Sequence, residues 1–475
     1  MFKQKIIYSI LVIVSLLFFR SATGQTNTIY FMDGIHQSSY LNPAYQDNCN
    51  IFIGLPALSG VNLQVGNNTL TYGNLFQENV NSSDTLIVNF NDINNNLQNS
   101  NYAIASTAIP VLGLGFWVKN SYFTFNIANK TSVKLSVPLE LATLITEGNG
   151  NYIGEDNPLV ISNFGPQITN YHEFAFGLSR QITHRLFLGA RLKLLFGTAN
   201  AQTKNSEIKI TTQEDTYALK LETDMLLNLS GPVTISRDSE GNIDSVDIDD
   251  SNLLSYALST GNLGVAIDLG ANYQFNDEFK FFASVTDLGF IHWHVNRMNL
   301  TQKESFSFSG LSLDSLNTDY SEFDAILDSL TRFTNLHESA NDYNTILNAN
   351  IFVGATYEVA EFLKLGLLSK TSFYNKDVLQ AFTFSTNFTP VKWFSGSLSY
   401  TVSNKQYTNF GIGMAFRGGP FQFYVLTDNL NAAFWPKESK AVAIQLGLNL
   451  NFGCGKRDDY SIINNKKFRK DIDFM

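Results

Sequence analysis

Two cysteines lie near opposite ends of the chain, Cys49 in "SSYLNPAYQDNCN" and Cys454 in "NLNFGCGK", with none between them. Two acids, Asp287 in "SVTDLGF" and Asp428 in "VLTDNLN", each stand about seven residues past a tight-turn signal. Facing one cavity at similar depth, they could hold a cation or an arginine; singly, they would bond to backbone and Asn side chains. His292 and His294 in "FIHWHV" share a strand face at a spacing that can bind metal. No third ligand accompanies them, and beside Trp293 they read as part of an interfacial aromatic belt. The segment "DSEGNIDSVDIDD" is rich in acids, but an EF-hand needs Gly at its sixth position, which counted from Asp238 is Ile243. A hairpin turn around Gly241–Asn242 fits it better. An enzyme would need a Ser-His-Asn set or its equivalent; we assign no catalytic residue, no metal and no cofactor.

The compartment follows from the first residues. Lys3 and Lys5 precede an apolar run from Ile6 to Phe19, and "SATGQ" places Ala22 and Gly24 at the −3 and −1 positions of a signal-peptidase site. The run is shorter than the roughly 20 residues of a spanning helix, so the mature chain is expected to begin at Gln25. Two cysteines exported to an oxidising compartment are a candidate pair. Loss of Lys3, Lys5 and Arg20 takes the net charge from −10 to −13, which argues against nucleic acid as a partner. Charged residues are only 16% of the chain, against about 25% in soluble domains. Such a chain is a large secreted β protein or one that crosses a membrane as strands.

Alternation decides between these. In "KAVAIQLGLNLNF", Val442, Ile444, Leu446, Leu448, Leu450 and Phe452 share one face, and Ala443, Gln445, Gly447, Asn449 and Asn451 the other. "NFGIGMAF" repeats the pattern. A soluble sandwich places Lys, Glu and Asp on its polar face; a small, amidic second face suits a crowded lumen behind a lipid-facing wall. Tight turns are expected near Lys119–Asn120, Thr183–His184, Asn276–Glu278, Ala360–Glu361, Pro390–Lys392 and Gly418–Gly419. Six hairpins, with one strand before them at 51–65 and one after at 440–452, make about fourteen strands. The fold class is therefore all-β, a transmembrane antiparallel β-barrel. Its expected parts are a signal peptide (1–24), an N-terminal periplasmic or hatch segment (25–50), the barrel (51–452) and a periplasmic tail (453–475). Long extracellular loops are expected at 66–100, 138–170, 204–261 and 296–348. Within them, "YSEFDAILDSLTRF" carries a helical apolar face behind Ser321, and the third loop reads as hairpins continuing beyond the membrane. In this arrangement Cys49 and Cys454 flank the two strands that close the barrel, at one periplasmic end, where a disulfide is geometrically reasonable.

The blocks "SSYLNPAY", "IFIGLPALSGV", "VKNSYFTFNIANKTSVKLSVPLELATLITEGNGNYIGE", "EFAFGLSRQI", "RLFLGARLKLLFG" and "SVTDLGFIHW" resemble a large uncharacterised family of outer-membrane proteins found in Bacteroidota. The resemblance runs from about residue 29 to 452. The "NPA" near the mature N-terminus, followed by about fourteen strands, is similar to FadL-type fatty-acid channels and to PorV-type shuttle proteins of the type IX secretion system. The FadL resemblance implies a small hatch inside the barrel at Asn42, Pro43 and Ala44. Here the segment before the first strand is short, so loops or large inward side chains would share the work of plugging. It also implies lateral release of cargo where a strand kinks, for which "STAIPVLGLGFWV" offers Pro110, Gly113 and Gly115: the proline removes a ladder donor and the glycines remove packing. Such a break opens a hole only if the neighbouring strand fails to pair across it.

Two functions follow. One is a FadL-like channel in the outer membrane lipid, its termini periplasmic, passing a hydrophobic or amphipathic small molecule. The other is a non-enzymatic, PorV-like accessory of a secretion or outer-membrane assembly complex. A continuous apolar lumen would favour the first, and a collapsed polar lumen the second.

Overall fold

A computed structural model describes residues 27–32, 34–79, 82–88, 90–237, 243–248, 256, 259–308, 337–374, 377–403 and 406–454. The expected signal peptide, the chain beyond Cys454, the helix expected at 321–333 and the turn expected at Gly241–Asn242 lie outside these residues. Fourteen antiparallel strands form a closed barrel. In chain order they are β1 (Ile51–Asn67), β2 (Ser100–Val118), β3 (Ser121–Pro138), β4 (Gly165–Gln181), β5 (Leu186–Thr212), β6 (Asn262–Gln274) and β7 (Phe279–Trp293). The second half comprises β8 (Asn350–Ala360), β9 (Leu363–Tyr374), β10 (Asp377–Val391), β11 (Phe394–Ser403), β12 (Gln406–Gly418), β13 (Phe421–Thr427) and β14 (Ala441–Phe452). Each strand pairs with its successor, and β14 closes the barrel on β1 with Ile51 opposite Phe452 and Gly66 opposite Ala441. Closure leaves no free edge to pair with another chain.

The period-2 pattern becomes two faces. In β14, Ala443, Gln445, Asn449 and Asn451 are buried inward, while Val442, Ile444, Leu446 and Phe452 are exposed outward. In β6, Gly264, Ala266, Asp268 and Gly270 face in, and Leu263, Val265, Ile267 and Leu269 face out. Exposed Phe176, Leu192, Phe281, Leu288, Phe384, Leu398 and Phe423 continue the outward face around the wall. Water would penalise so contiguous an apolar band, and hydrocarbon would not. Among the described residues no helix is long and apolar enough to cross a membrane, which does not bear on crossing by strands.

All six expected tight turns join adjacent barrel strands at one end, the end at which β1 begins and β14 finishes. Exposed Phe275, Phe362, Trp393, Phe416 and Phe421 ring that end, as an interfacial aromatic girdle would. Trp293 does not join a girdle. It is fully buried in the lumen against Tyr171, Leu195 and Ile291, with its indole N–H donating to Thr345 at 3.1 Å. Its parity in β7 turns it inward, and the belt reading of "FIHWHV" is corrected accordingly.

At the opposite end β5 continues to Thr212. It pairs there with Leu219–Ser230, which pairs in turn with Arg297–Phe308, so a small sheet stands beyond the barrel rim. Two connections at this end, at 375–376 and 404–405, are short. At the turn end Cys49 is joined to Cys454 by a disulfide across a sequence separation of 405 residues.

Candidate functional site

Four features converge inside the wall: a plug, its seat, a gap in the ladder and a buried ionic layer. The plug is the chain before β1. It folds as two short 3-10 turns, Thr28–Phe31 and His36–Tyr40, too brief to be stable alone. The wall holds them. Asp428 accepts hydrogen bonds from the backbone N–H groups of Asn27 (2.6 Å) and Thr28 (3.0 Å) and from the Thr28 hydroxyl. The Gly34 carbonyl accepts from Arg417 at 3.1 Å and Gln422 at 2.7 Å. His36 stacks on Phe52 with ring centroids 3.6 Å apart and meets the Tyr122 hydroxyl at 2.8 Å.

Asn42, Pro43 and Ala44 lie inside the barrel. The Asn42 side-chain oxygen accepts from the Ala44 N–H at 3.0 Å, an Asx turn in which proline's fixed φ costs nothing. Its amide nitrogen donates to Asn272 at 2.8 Å, and Asn272 donates back to the Ala44 carbonyl at 3.0 Å. The seat is a cross-strand glycine pair, Gly189 opposite Gly270. A Cβ at Gly189 would overlap the Pro43 carbonyl, and one at Gly270 the Asn42 amide oxygen. Gly270→Val is therefore expected to unseat the plug, at about 1–3 kcal/mol of overpacking. Limited proteolysis should then cut within 27–48 while the barrel keeps its heat-modifiable gel mobility. Unchanged protection would show that the seat is dispensable.

Two titratable groups of the plug are tuned in opposite senses. Burial, helped by the Arg191 guanidinium, pushes His36 down to about 3. Burial pushes the Asp47 carboxyl up to about 6, against the Cys49 N–H bond and Arg417. His36 Nδ1 lies 3.9 Å from Asp47 Oδ2. Between about pH 4 and 6 the unfolded chain protonates His36 and the folded one does not, so this group makes stability rise with pH. Asp47 does the reverse, staying protonated only when folded. The two slopes cancel, and His36→Gln should unmask a fall of about 1.4 kcal/mol per pH unit as pH rises from 4 to 6. Urea unfolding in micelles at pH 4, 5 and 6 checks this; a pH-independent variant would contradict it.

The gap lies between β1 and β2. Their ladder pairs Gly54 with Gly113 and resumes at Asn62 with Ala108, leaving seven residues of β1 and four of β2 without partners between. Leu55 to Leu58 also lack partners on β14, where pairing stops at Gly54 and resumes at Ser59. The cause is local. Pro56 has no N–H to give the ladder, Ala57 has a left-handed φ of 56° and Gly60 one of 103°. Leu58, Ile109 and Val111 are exposed at its rim. Pro110 stands within the unpaired stretch of β2, in mid-strand. Gly113 marks its lower margin and packs against Phe52, and Gly115 instead makes room for His36 and Tyr122. Sequence reading placed the kink on β2 and missed that the greater irregularity is on β1, although Pro56 and Gly60 were its visible signals.

Beyond the gap lies the ionic layer, three cations and three acids from five adjacent strands. Lys193 approaches Asp268 and Asp287, each at 2.7 Å, and Glu173 at 3.5 Å. Lys130 lies 2.7 Å from Glu173 and 3.5 Å from Asp287, and Arg191 3.5 Å from Asp268 and 3.7 Å from Glu173. The Tyr40 ring of the plug covers Arg191 at 4.9 Å. Asp287 has a φ of 60°, and its N–H donates to Asp268 at 2.7 Å across a register shift. Asp287 and Asp428 thus serve separate contacts, one in this layer and one on the plug. Of the layer, sequence reasoning found only Asp287. Arg191 and Lys193 were marked by charges alternating with Leu192 and Leu194 in "ARLKLL", which in a lipid-facing strand must point inward.

His292 and His294 stack at 5.4 Å beside the outer rim, and no group of three His, Cys, Asp or Glu among the described residues could hold a metal.

Comparison with known proteins gives three findings. The signature of a family of unknown function, DUF5723, matches residues 43–428. No curated protein matches in sequence. Among solved structures, the toluene transporter TbuX of Ralstonia pickettii is similar at 10% identity and TM-score 0.40, covering 91% of this chain and 97% of its own. A FadL homologue of Pseudomonas aeruginosa is similar at 9% identity and TM-score 0.38, covering 91% and 99%. The toluene transporter TodX of Pseudomonas putida is similar at 8% identity and TM-score 0.36, covering 90% and 93%.

Proposed function

We propose that this chain, which belongs to the DUF5723 family of unknown function, is an outer-membrane barrel that passes a hydrophobic or amphipathic small molecule sideways through its wall. The observation that carries the reading is the interrupted β1/β2 ladder with its apolar rim. The outward apolar face supports a place in the bilayer, and the Cys49–Cys454 bridge an oxidising compartment. The plug and the ionic layer bar the axial route to an apolar cargo, because burying it against six charged groups would strip them of partners. A gap in the wall offers a path that avoids both. Asn42, Pro43 and Ala44 act as the hatch, and Pro110 with the β1 kink as the exit; Gly113 and Gly115 serve the packing below it. Uptake of labelled fatty acid by proteoliposomes tests the proposal. A rate equal to that of empty liposomes would sink it.

A second reading has its own support. The inward face is amidic and filled, with Asn126, Asn200, Asn272, Asn387, Asn449 and Asn451 all buried, which favours a closed scaffold for secretion or assembly partners. Pull-down of the native protein from detergent distinguishes it, since a lone monomer counts against a scaffold.

A further inference from the structure

A barrel of about eight strands encloses an interior that side chains can fill, so a round one of fourteen would leave an open mouth. At the end away from the tight turns, opposite walls of this barrel touch instead. Lys134 of β3 forms an ion pair with Asp377 of β10, strands that stand seven apart in either direction round the wall (10 − 3 = 7, and 14 − 7 = 7). The Lys134 ammonium also lies 5.3 Å from the centroid of the Tyr102 ring, a favourable place for a cation. Tyr102 and Ile104 of β2 are buried against Leu379 of β10, with Tyr374 of β9 packed beside them. The residues that reach across are the tip of one hairpin. Tyr374 and Asp377 to Gln380 find ladder partners only on the opposite arm of that hairpin among the described residues, because pairing to β8 stops at Ser372 and pairing to β11 begins at Ala381. Beneath the crossing the lumen is not solid. Lys130 and Asp287 keep 26% and 21% of their side chains accessible, and Lys370, inward of Tyr374 on the same face of β9, is half-buried with its ammonium 5.6 Å from the Phe352 centroid.

We propose that the tip of the β9/β10 hairpin is a gate at this mouth, latched across the lumen by Lys134 and Asp377, and that it swings off β2 and β3 to open the space beneath. The hairpin can move because neither neighbouring strand holds its tip, so no ladder bond to the wall has to break. The latch suits release. Asp377 is 38% exposed, so water and salt compete for it, while Lys134 at 7% is returned to the Tyr102 ring when the tip closes. Leu379 and Tyr374 give the closed state its apolar contact, and opening wets them, so the closed state is the resting one. The gate deepens the transport reading, and rests on that reading for what the open mouth admits.

Opening and passage are read separately in the test. Lys370→Cys places a thiol under the gate, and its reaction with a sulfonated, membrane-impermeant maleimide is timed in the full barrel in nanodiscs. Labelling should be slow with the latch intact, about fivefold faster with Lys134→Met or Asp377→Asn added, and back to within about twofold in the charge swap Lys134→Asp/Asp377→Lys, since the swap rebuilds the pair. Salt at about 1 M should speed labelling of the intact latch and leave the Lys134→Met protein unchanged. Heat-modifiable gel mobility shows that each variant is folded, and Asp377→Asn, the more exposed change, stands in if Lys134→Met is not. A thiol that reacts as fast behind the intact latch as without it, or a charge swap no slower than the single variants, would overturn the gate. Latch-dependent labelling with uptake of labelled fatty acid equal to that of empty liposomes would leave the gate standing and remove the transport reading alone.

Discussion

Lys193→Met is expected to destabilise the barrel by about 3–5 kcal/mol, the cost of removing one partner from a buried ion pair. Lys193 is about 1% exposed and lies within 2.7 Å of both Asp268 and Asp287. Its loss leaves three buried acids facing two cations, and methionine cannot return a hydrogen bond to either carboxylate. The double variant Lys193→Met/Asp268→Leu should cost clearly less than the sum of its single changes, because the second substitution removes the charge that the first orphans. Chemical unfolding in micelles measures all four corners of the cycle. A single-variant loss below about 1 kcal/mol, or simple additivity, would mean that water reaches this layer and screens it.

The second large effect concerns the gap. Seven residues of β1 stand against four of β2 between the flanking pairs, so removal of Pro56, Ala57 and Leu58 equalises the two stretches and lets the ladder run through. The shortened chain should fold at least as stably, since new backbone pairs replace unpaired groups at about 0.5–1.5 kcal/mol each. Uptake of a hydrophobic cargo should fall to the level of empty liposomes. A deletion variant that transports at the full rate would show that cargo does not leave between β1 and β2. The one-residue shift between Ser59 and Val61 against β14 is untouched by this change, so the opposite seam should hold its register.

Most of the fold was legible because one face of every strand must satisfy hydrocarbon. "AVAIQLGLNLNF" states its own orientation, and tight turns such as Lys119–Asn120 punctuate the strands. The site was less legible, for a physical reason. The gap is a property of two strands taken together: Pro110 is visible in sequence, but whether Pro56 and Gly60 fall opposite it depends on a register set 50 residues away. The ionic layer likewise joins Lys130, Glu173, Arg191, Asp268 and Asp287 across five strands. Apart from Asp287, each is an unremarked charge locally, and only inward parity ties them together. The plug's seat was hidden for the same reason, since Gly189 and Gly270 meet only through the β5/β6 ladder.

The bridge between Cys49 and Cys454 has a consequence for how the barrel meets proteases. It makes one covalent ring of everything from Cys49 to Cys454. A single cut in any loop beyond the outer rim opens that ring without releasing a fragment, and the strands on both sides of the nick stay tethered at the far end. Two cuts are needed before a piece can leave. The end of the molecule away from the bridge can therefore be trimmed once at little risk, a tolerance that reduction of one sulfur–sulfur bond at the opposite end would abolish.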